Sequence, residues 1–234
     1  MLRLDDVHAG YGRITVLRSF NLDVTDGQMV AVLGRNGVGK TTMLRAITGI
    51  IPLQKGTITF DNQDLRHLPV HERARRGIAY VPQDRDIFPG LTVLDNLRAA
   101  AYGSRKRGWE EQLDALLHEF PILAEKRNAQ GGSLSGGQQQ ILALARALMT
   151  SPRILLLDEP SEGIQPSIVD QIVDTLRAIN EQRDITILLV EQNLDFVSHL
   201  TSRAYLVDKG QVVRELPTDD LLSDKDLQHE YLGI

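Results

Sequence analysis

The stretch Gly34-Arg35-Asn36-Gly37-Val38-Gly39-Lys40-Thr41-Thr42 constrains the fold more than any other part of the chain. It fits the pattern G-x-x-x-x-G-K-[ST], which works only between a strand and a helix. The apolar run Met29-Val30-Ala31-Val32-Leu33 leads in and the amphipathic segment Thr42-Met43-Leu44-Arg45-Ala46-Ile47 leads out, so both flanks have the required character. Glycines let successive N–H groups turn inward, and the positive end of the following helix adds to their pull on an anion. In such a cradle Lys40 reaches the outer phosphates and the Thr41 hydroxyl holds Mg²⁺. An ordinary glycine-rich turn has no need of Lys and Thr together, so the expected ligand is a nucleoside triphosphate.

The chain has 234 residues, enough for one large domain or two interlocked ones, and its 42% hydrophobic content is that of a globular protein. No apolar run approaches the roughly 20 residues that span a bilayer. The start, Met1 to Asp6, lacks a signal-peptide pattern, and the expectation is a soluble protein that stays inside the cell. Cysteine is absent, which excludes disulfides and thiolate metal sites and fits a reducing compartment. A net charge of -5 argues against nucleic acid as a partner. The basic clusters Arg73-Ala74-Arg75-Arg76 and Ser104-Arg105-Lys106-Arg107-Gly108 are read as solvated surface.

Three bursts of alternation, Leu2, Leu4 and Val7, then Ile14, Val16 and Leu17, then Phe20, Leu22 and Val24, predict half-buried antiparallel strands. Tyr11-Gly12 falls in a turn between them, where a tyrosine can stack on a base or simply pack. Gly56 to Phe60 predicts a further strand, closed by a turn at Asp61-Asn62-Gln63-Asp64. A charged helix near residues 69–76 follows, then a short buried strand at Ile78-Ala79-Tyr80-Val81 that leaves Gln83 at its exit. From residue 88 to about 150 the spacing is helical, with a capping box at Thr92-Val93-Leu94-Asp95 and core positions Trp109, Leu113, Leu116, Leu117 and Phe120.

This helical insertion ends in Leu134-Ser135-Gly136-Gly137-Gln138, ahead of an alanine- and leucine-rich helix. A Ser-Gly-Gly turn at a helix N-terminus is a second anion site. Two phosphate sites in one chain imply that they meet across a dimer. Ile154-Leu155-Leu156-Leu157 shows no alternation, as in a parallel strand buried on both faces. The pair Asp158-Glu159 then sits at its carboxyl end, where open α/β sheets place ligand chemistry, although an acidic surface turn reads the same. Pro166 opens a helix with apolar positions Ile168, Ile172, Val173, Leu176 and Ile179, and Ile185 to Val190 is another buried strand leading to Glu191-Gln192-Asn193. A hairpin around Asp208-Lys209-Gly210 and a polar helical tail complete the chain. Residues 1–234 are expected to form a single domain with a helical subdomain at about 88–150, leaving no room for a regulatory domain.

Gly34 to Thr42, Gln83, Leu134 to Gln138 and Asp158-Glu159 together resemble, in order and spacing, an ABC-type ATPase subunit. The Leu-Ser-Gly-Gly-Gln run discriminates, since GTPases and P-loop kinases lack it. Within that superfamily the chain is similar to the second ATPase of importers for branched-chain amino acids, urea and short-chain amides. Gly34 to Lys40, Tyr80 to Pro89 and Glu162 to Ile168 resemble the urea-type branch. The resemblance implies an α/β P-loop core with an antiparallel N-terminal sheet and a helical subdomain, and ATP and Mg²⁺ as ligands. It gives Tyr11 the adenine, Gly34, Arg35, Asn36, Gly37, Val38, Gly39, Lys40, Thr41 and Thr42 the phosphates, and Thr41, Asp158 and Gln83 the metal.

By the same resemblance Glu159 is the general base, Gln192 contacts the γ-phosphate, and Ser135, Gly136, Gly137 and Gln138 reach the ATP of the opposite subunit. It further implies transmembrane permease subunits, a second ATPase, identical or homologous, an extracytoplasmic solute-binding protein indirectly, and a place on the cytoplasmic face of the membrane. Two departures stand out: Gln192 replaces a frequent histidine, and Gln165 replaces a frequent aspartate. Glutamine can donate to the γ-phosphate and accept from water but cannot carry a charge, so a slow site is expected in isolation. A soluble ABC ATPase working in DNA repair, translation or cluster assembly is the rival reading. DNA-repair types carry a long coiled-coil insertion and translation types a tandem second half, and these 234 residues show neither pattern.

Overall fold

The computed structural model describes residues 1–104 and 108–233. In chain order it contains β1 (Leu2–Tyr11), β2 (Ile14–Val24), β3 (Met29–Leu33), α1 (Lys40–Thr48), β4 (Leu53–Phe60), β5 (Gln63–Asp64), α2 (Val70–Arg75) and β6 (Ile78–Val81). There follow α3 (Val93–Ser104), α4 (Trp109–Glu119), α5 (Pro121–Glu125), α6 (Gly136–Leu148), β7 (Ile154–Asp158), α7 (Pro166–Arg183) and β8 (Thr186–Glu191). The chain closes with α8 (Leu194–Leu200), β9 (Arg203–Asp208), β10 (Gln211–Pro217), α9 (Thr218–Ser223) and α10 (Lys225–Leu227).

Two sheets organise these elements. An antiparallel sheet runs β2-β1-β4-β5, and a larger one runs β10-β9-β3-β8-β7-β6, parallel throughout except for the edge strand β10. In the larger sheet alternate residues feed different cores. Val30 and Val32, Leu156, Leu188 and Val190 face the antiparallel sheet and α1, whereas Ala31, Leu33, Leu155, Leu157, Ile187 and Leu189 face the helices from α3 onward. That two-sided burial is the physical reason for apolar runs without alternation. The fold is thus the α/β arrangement with an antiparallel N-terminal sheet, and helices α3 to α6 fall between β6 and β7.

The N-terminal alternation skips a beat twice, from Leu4 to Val7 and from Leu17 to Phe20. Asp6 (φ 46°) and Ser19 (φ 48°) take left-handed backbone there and the β1–β2 register shifts, as at bulges that keep both apolar sets on one face. The turn expected over Asp61 to Asp64 is shorter than predicted. Only Asp61 (φ 52°) and Asn62 (φ 61°) turn, both with positive φ as a tight hairpin requires, and Gln63–Asp64 pair back onto Thr59 and Phe60.

The expectation that Arg73 to Arg76 is solvated fails at Arg73. Its side chain is buried, and its guanidinium donates to the carbonyls of Leu68, Ala46 and Ile47, satisfying the open C-terminal end of α1. The other basic run, Arg105-Lys106-Arg107, lies outside the described residues. The tail is less polar in effect than its composition indicates, because Leu221, Leu227 and Leu232 are buried.

Candidate active site

The cradle between β3 and α1 depends on glycine for two separate reasons. A Cβ on Gly34 would come within 2.4 Å of the Val207 carbonyl oxygen, and Gly39 holds the N-cap of α1 at φ 112°. Lys40 is only 4% exposed, and its ammonium donates to the carbonyls of Gly34 (2.7 Å) and Arg35 (3.1 Å), 3.6 Å from Glu159 Oε1. Burial pulls the Lys40 ammonium below its ordinary pKa, and the Glu159 carboxylate chiefly opposes that pull. Arg35 meets the cradle through its backbone, since its guanidinium donates to the His229 carbonyl at 2.9 Å. Val38 anchors the loop instead, its carbonyl accepting from the Gly210 N–H at 2.9 Å in the β9–β10 turn.

At the carboxyl end of β7, Asp158 is 2% exposed and divides its oxygens between two donors. Thr41 Oγ1 donates to Oδ1 and the Tyr80 hydroxyl to Oδ2, each at 3.0 Å. Burial raises the Asp158 pKa, and these two hydrogen bonds hold it down. The Thr41 hydroxyl beside a carboxylate oxygen is a hard-oxygen pair of the kind Mg²⁺ accepts, since this ion needs few protein ligands and keeps water and phosphate oxygens for the rest. Among the described residues no group of three or more His, Cys, Asp or Glu forms a self-sufficient metal cluster.

Glu159 follows directly, with left-handed backbone (φ 48°) fixed by its N–H donating to the Val190 carbonyl at 2.9 Å. Its Oε1 accepts from Gln192 Nε2 at 3.0 Å and its Oε2 from Gln83 Nε2 at 3.4 Å. Gln192 also donates to Asn36 Oδ1, and Gln83 to Glu162. Gln83 is therefore bonded to Glu159 and Glu162, and it lines the same cleft as Thr41. Tyr11, Val16, Gly39, Thr42, Gln83 and Glu159 all line one cleft of about 360 Å³ over the cradle.

Ser135 caps α6 through a reciprocal box: its Oγ accepts from the Gln138 N–H at 3.4 Å, and Gln138 Oε1 accepts from the Ser135 N–H at 3.1 Å. A Cβ on Gly137 would come within 2.5 Å of Ile168 Cγ2, so this glycine lets α6 and α7 approach. None of Ser135, Gly136, Gly137 and Gln138 lines the cleft that holds Lys40 and Glu159. Residues 17–162, more than half of the chain, match the ABC transporter family. The chain belongs to that family.

This ABC-type ATPase is similar to the high-affinity branched-chain amino acid transport ATP-binding protein BraG of Pseudomonas aeruginosa, 37% identical over 100% of both chains. It is similar also to the lipopolysaccharide export system ATP-binding protein LptB of Escherichia coli strain K12, 36% identical over 93% of this chain and 91% of that one. Among solved structures, a dimeric ATP-binding cassette in a post-hydrolysis state bound to ADP and Pi superposes with a TM-score of 0.83 and 28% identity, covering 93% of this chain and 99% of that one.

Sequence reasoning missed three site residues of the ATPase. Glu191, 2% exposed, accepts from the backbone N–H of Ser161 (2.8 Å), Gln192 (2.9 Å) and Asn193 (3.2 Å), and so holds the loops after β7 and β8 together. Burial pushes its pKa up, against those hydrogen bonds. Tyr80 and Arg45 are the others. The hydroxyl inside the otherwise apolar strand Ile78–Val81 was the signal available for Tyr80.

Proposed function

We propose that this chain binds and hydrolyses ATP to power uptake of a small polar solute, such as a branched-chain amino acid, urea or a short-chain amide, through separate transmembrane permease subunits. Residues 1–234 work as one ATPase domain whose helical subdomain spans about 88–150. The observation that carries the reading is the division of the site. Lys40, Thr41 and Glu159 line one cleft, Asp158 is bonded to Thr41 and Gln192 to Glu159 at its walls, and none of Ser135 to Gln138 lines it. The missing anion contacts would then come from a second ATPase subunit, identical or homologous, so that two chains enclose each nucleotide.

In that closed site the cradle amides and Lys40 bind the β- and γ-phosphates, and the ring of Tyr11 supports the base. Thr41 and Asp158 would hold Mg²⁺, which neutralises phosphate charge as the leaving oxygen departs. Glu159 accepts a proton from the attacking water. Gln192, bonded to Glu159, donates to the γ-phosphate, and Ser135 to Gln138 close over it from the opposite subunit. Among the described residues no helix is long and apolar enough to cross a membrane. The chain would act peripherally, at the cytoplasmic face. A cleft of about 350 Å³ beyond Gln83, edged by Ile50, Val70, Pro82 and Arg85, offers the permease a place next to the residue that touches Glu159. A solute-binding protein would act only through the permease.

Similarity to LptB nearly equals that to BraG, and it supports a second reading, an ATPase of an export system. Co-purification separates them, since an importer brings permeases and responds to a solute-binding protein. The ATPase reading itself is tested with Glu159→Gln, which removes the base but keeps its shape and hydrogen-bonding reach. With Mg-ATP this variant should accumulate as a closed dimer in sedimentation or light scattering, alone or with its partner ATPase. A variant that stays monomeric in both mixtures and still hydrolyses ATP at the native rate would overturn the reading.

A further inference from the structure

Two hydrogen bonds and an interaction of one guanidinium between them relate Tyr11, in the cleft, to Asp158. Arg45, on α1, donates from Nη1 to the Tyr11 hydroxyl at 3.1 Å. Its guanidinium also interacts with the Tyr80 hydroxyl of β6. Tyr80 in turn donates to Asp158 Oδ2 at 3.0 Å, leaving Oδ1 to face Thr41. Residues of four elements, β1, α1, β6 and β7, thus form one polar chain that runs from the exposed Tyr11 to the buried Asp158.

We propose that Arg45 and Tyr80 are positioning residues that bridge the base end of the cleft to its metal end, so that the hydroxyl of Tyr11 helps to orient the Asp158 carboxylate. The inference rests on the ATP-binding reading above and deepens it. Tyr80 fixes which carboxylate oxygen turns toward Thr41, and Arg45 fixes Tyr80 by holding a second, more exposed tyrosine at the same time. A base stacked on the ring of Tyr11 would restrain its hydroxyl, and with it the geometry of the oxygen pair that suits Mg²⁺. A triphosphate without a base would leave the bridge slack. Each bond alone is a common structural contact. What distinguishes a bridge is that changes at its two ends are coupled through the middle.

The experiment titrates Mg²⁺ into the full-length protein in the presence of a fluorescent ATP analogue and reads the Mg²⁺ midpoint of nucleotide affinity, with affinity in EDTA measured alongside. Tyr80→Phe keeps the ring and removes the donor, and its Mg²⁺ midpoint should rise about ten-fold, the loss of one hydrogen bond to a charged group. Its affinity in EDTA should stay within about two-fold of native, which a general loss of folding would not allow. Tyr11→Phe keeps the stacking ring and cuts the far anchor, and its midpoint should rise about three-fold. In an Arg45→Met background Tyr11→Phe should have no further effect on the midpoint, whereas Arg45→Lys should restore part of it.

Midpoints of Tyr80→Phe and Tyr11→Phe within about two-fold of native, in a protein that binds Mg-ATP, would overturn the bridge and leave the ATPase reading standing. So would fully additive effects of Tyr11→Phe and Arg45→Met. A native protein that binds no ATP overturns the ATPase reading, and the bridge with it.

Discussion

Replacing Glu191 by Gln tests whether a carboxylate that never touches substrate holds the site together. The side chain is 2% exposed and its two oxygens accept from three backbone N–H groups, two of them on Oε2. Gln offers one oxygen, which goes best to the two-donor side near Gln192 and Asn193. Its amide then turns N–H toward the Ser161 N–H, leaving that donor buried and unpaired, and it weakens the remaining bonds by removing their charge. A lost charge-assisted bond and an unpaired buried donor together cost about 2–4 kcal/mol, partly offset by relief of the buried charge. For a chain of this size that lowers Tm by roughly 4–16 °C. Differential scanning calorimetry of the isolated subunit measures the shift. Steady-state ATPase measurements should show kcat falling as well, because Ser161 follows Glu159 and Gln192 carries the amide bonded to it. A Tm within about 1 °C of native, with unchanged kcat, would refute the claim that Glu191 sets the positions of these loops.

Gln192→Ala should slow steady-state hydrolysis about ten-fold or more while leaving ATP affinity nearly intact, the pattern of a contact made in the transition state. Equal turnover in the assembled complex would remove Gln192 from the chemistry. Ser135→Asp retains a side chain that caps α6 well but sets a negative charge where the partner's γ-phosphate would sit. It should preserve Tm and ATP binding to its own cradle and abolish hydrolysis, and full activity would refute a trans role. Gly137→Ala, by contrast, should lower Tm in a calorimetric scan, since its Cβ would press on Ile168 at 2.5 Å.

The cradle and the acidic strand end were legible because their chemistry restricts residue type at fixed spacing. A loop that folds amides around phosphate needs its glycines, and a metal-side carboxylate needs a strand to bring it there. Strands β3, β7 and β8 were equally legible from their unbroken apolar runs. The division of those runs between two cores was not, because alternation vanishes when both faces are buried. Glu191 left no pattern, since its partners are backbone amides that every residue carries. Arg73 was misread for a related reason: inside a basic run nothing in the sequence marks which guanidinium turns inward to cap α1. Gln165 stands at the N-cap of α7 without a side-chain bond to that helix, so the helix start depends on Pro166 and on backbone geometry.

The side chains proposed for catalysis are bonded to one another, and this explains why the isolated site is expected to be slow. Lys40 spends its donors on two carbonyls of its own loop and lies 3.6 Å from Glu159, while both oxygens of Glu159 accept from amides. A base held at both oxygens must give up one of those amides before it can align on an attacking water. A triphosphate in the cradle would draw Lys40 onto its oxygens, and a γ-phosphate within reach of Gln192 would compete for the amide that now restrains Oε1. Gln83 is the remaining tether, and Pro82, Arg85 and Asp86 beside it in the chain line the cleft proposed for the permease. Movement there would release or restore the Oε2 contact. Nucleotide and permease would thus each control one oxygen of the same carboxylate, which makes hydrolysis conditional on both.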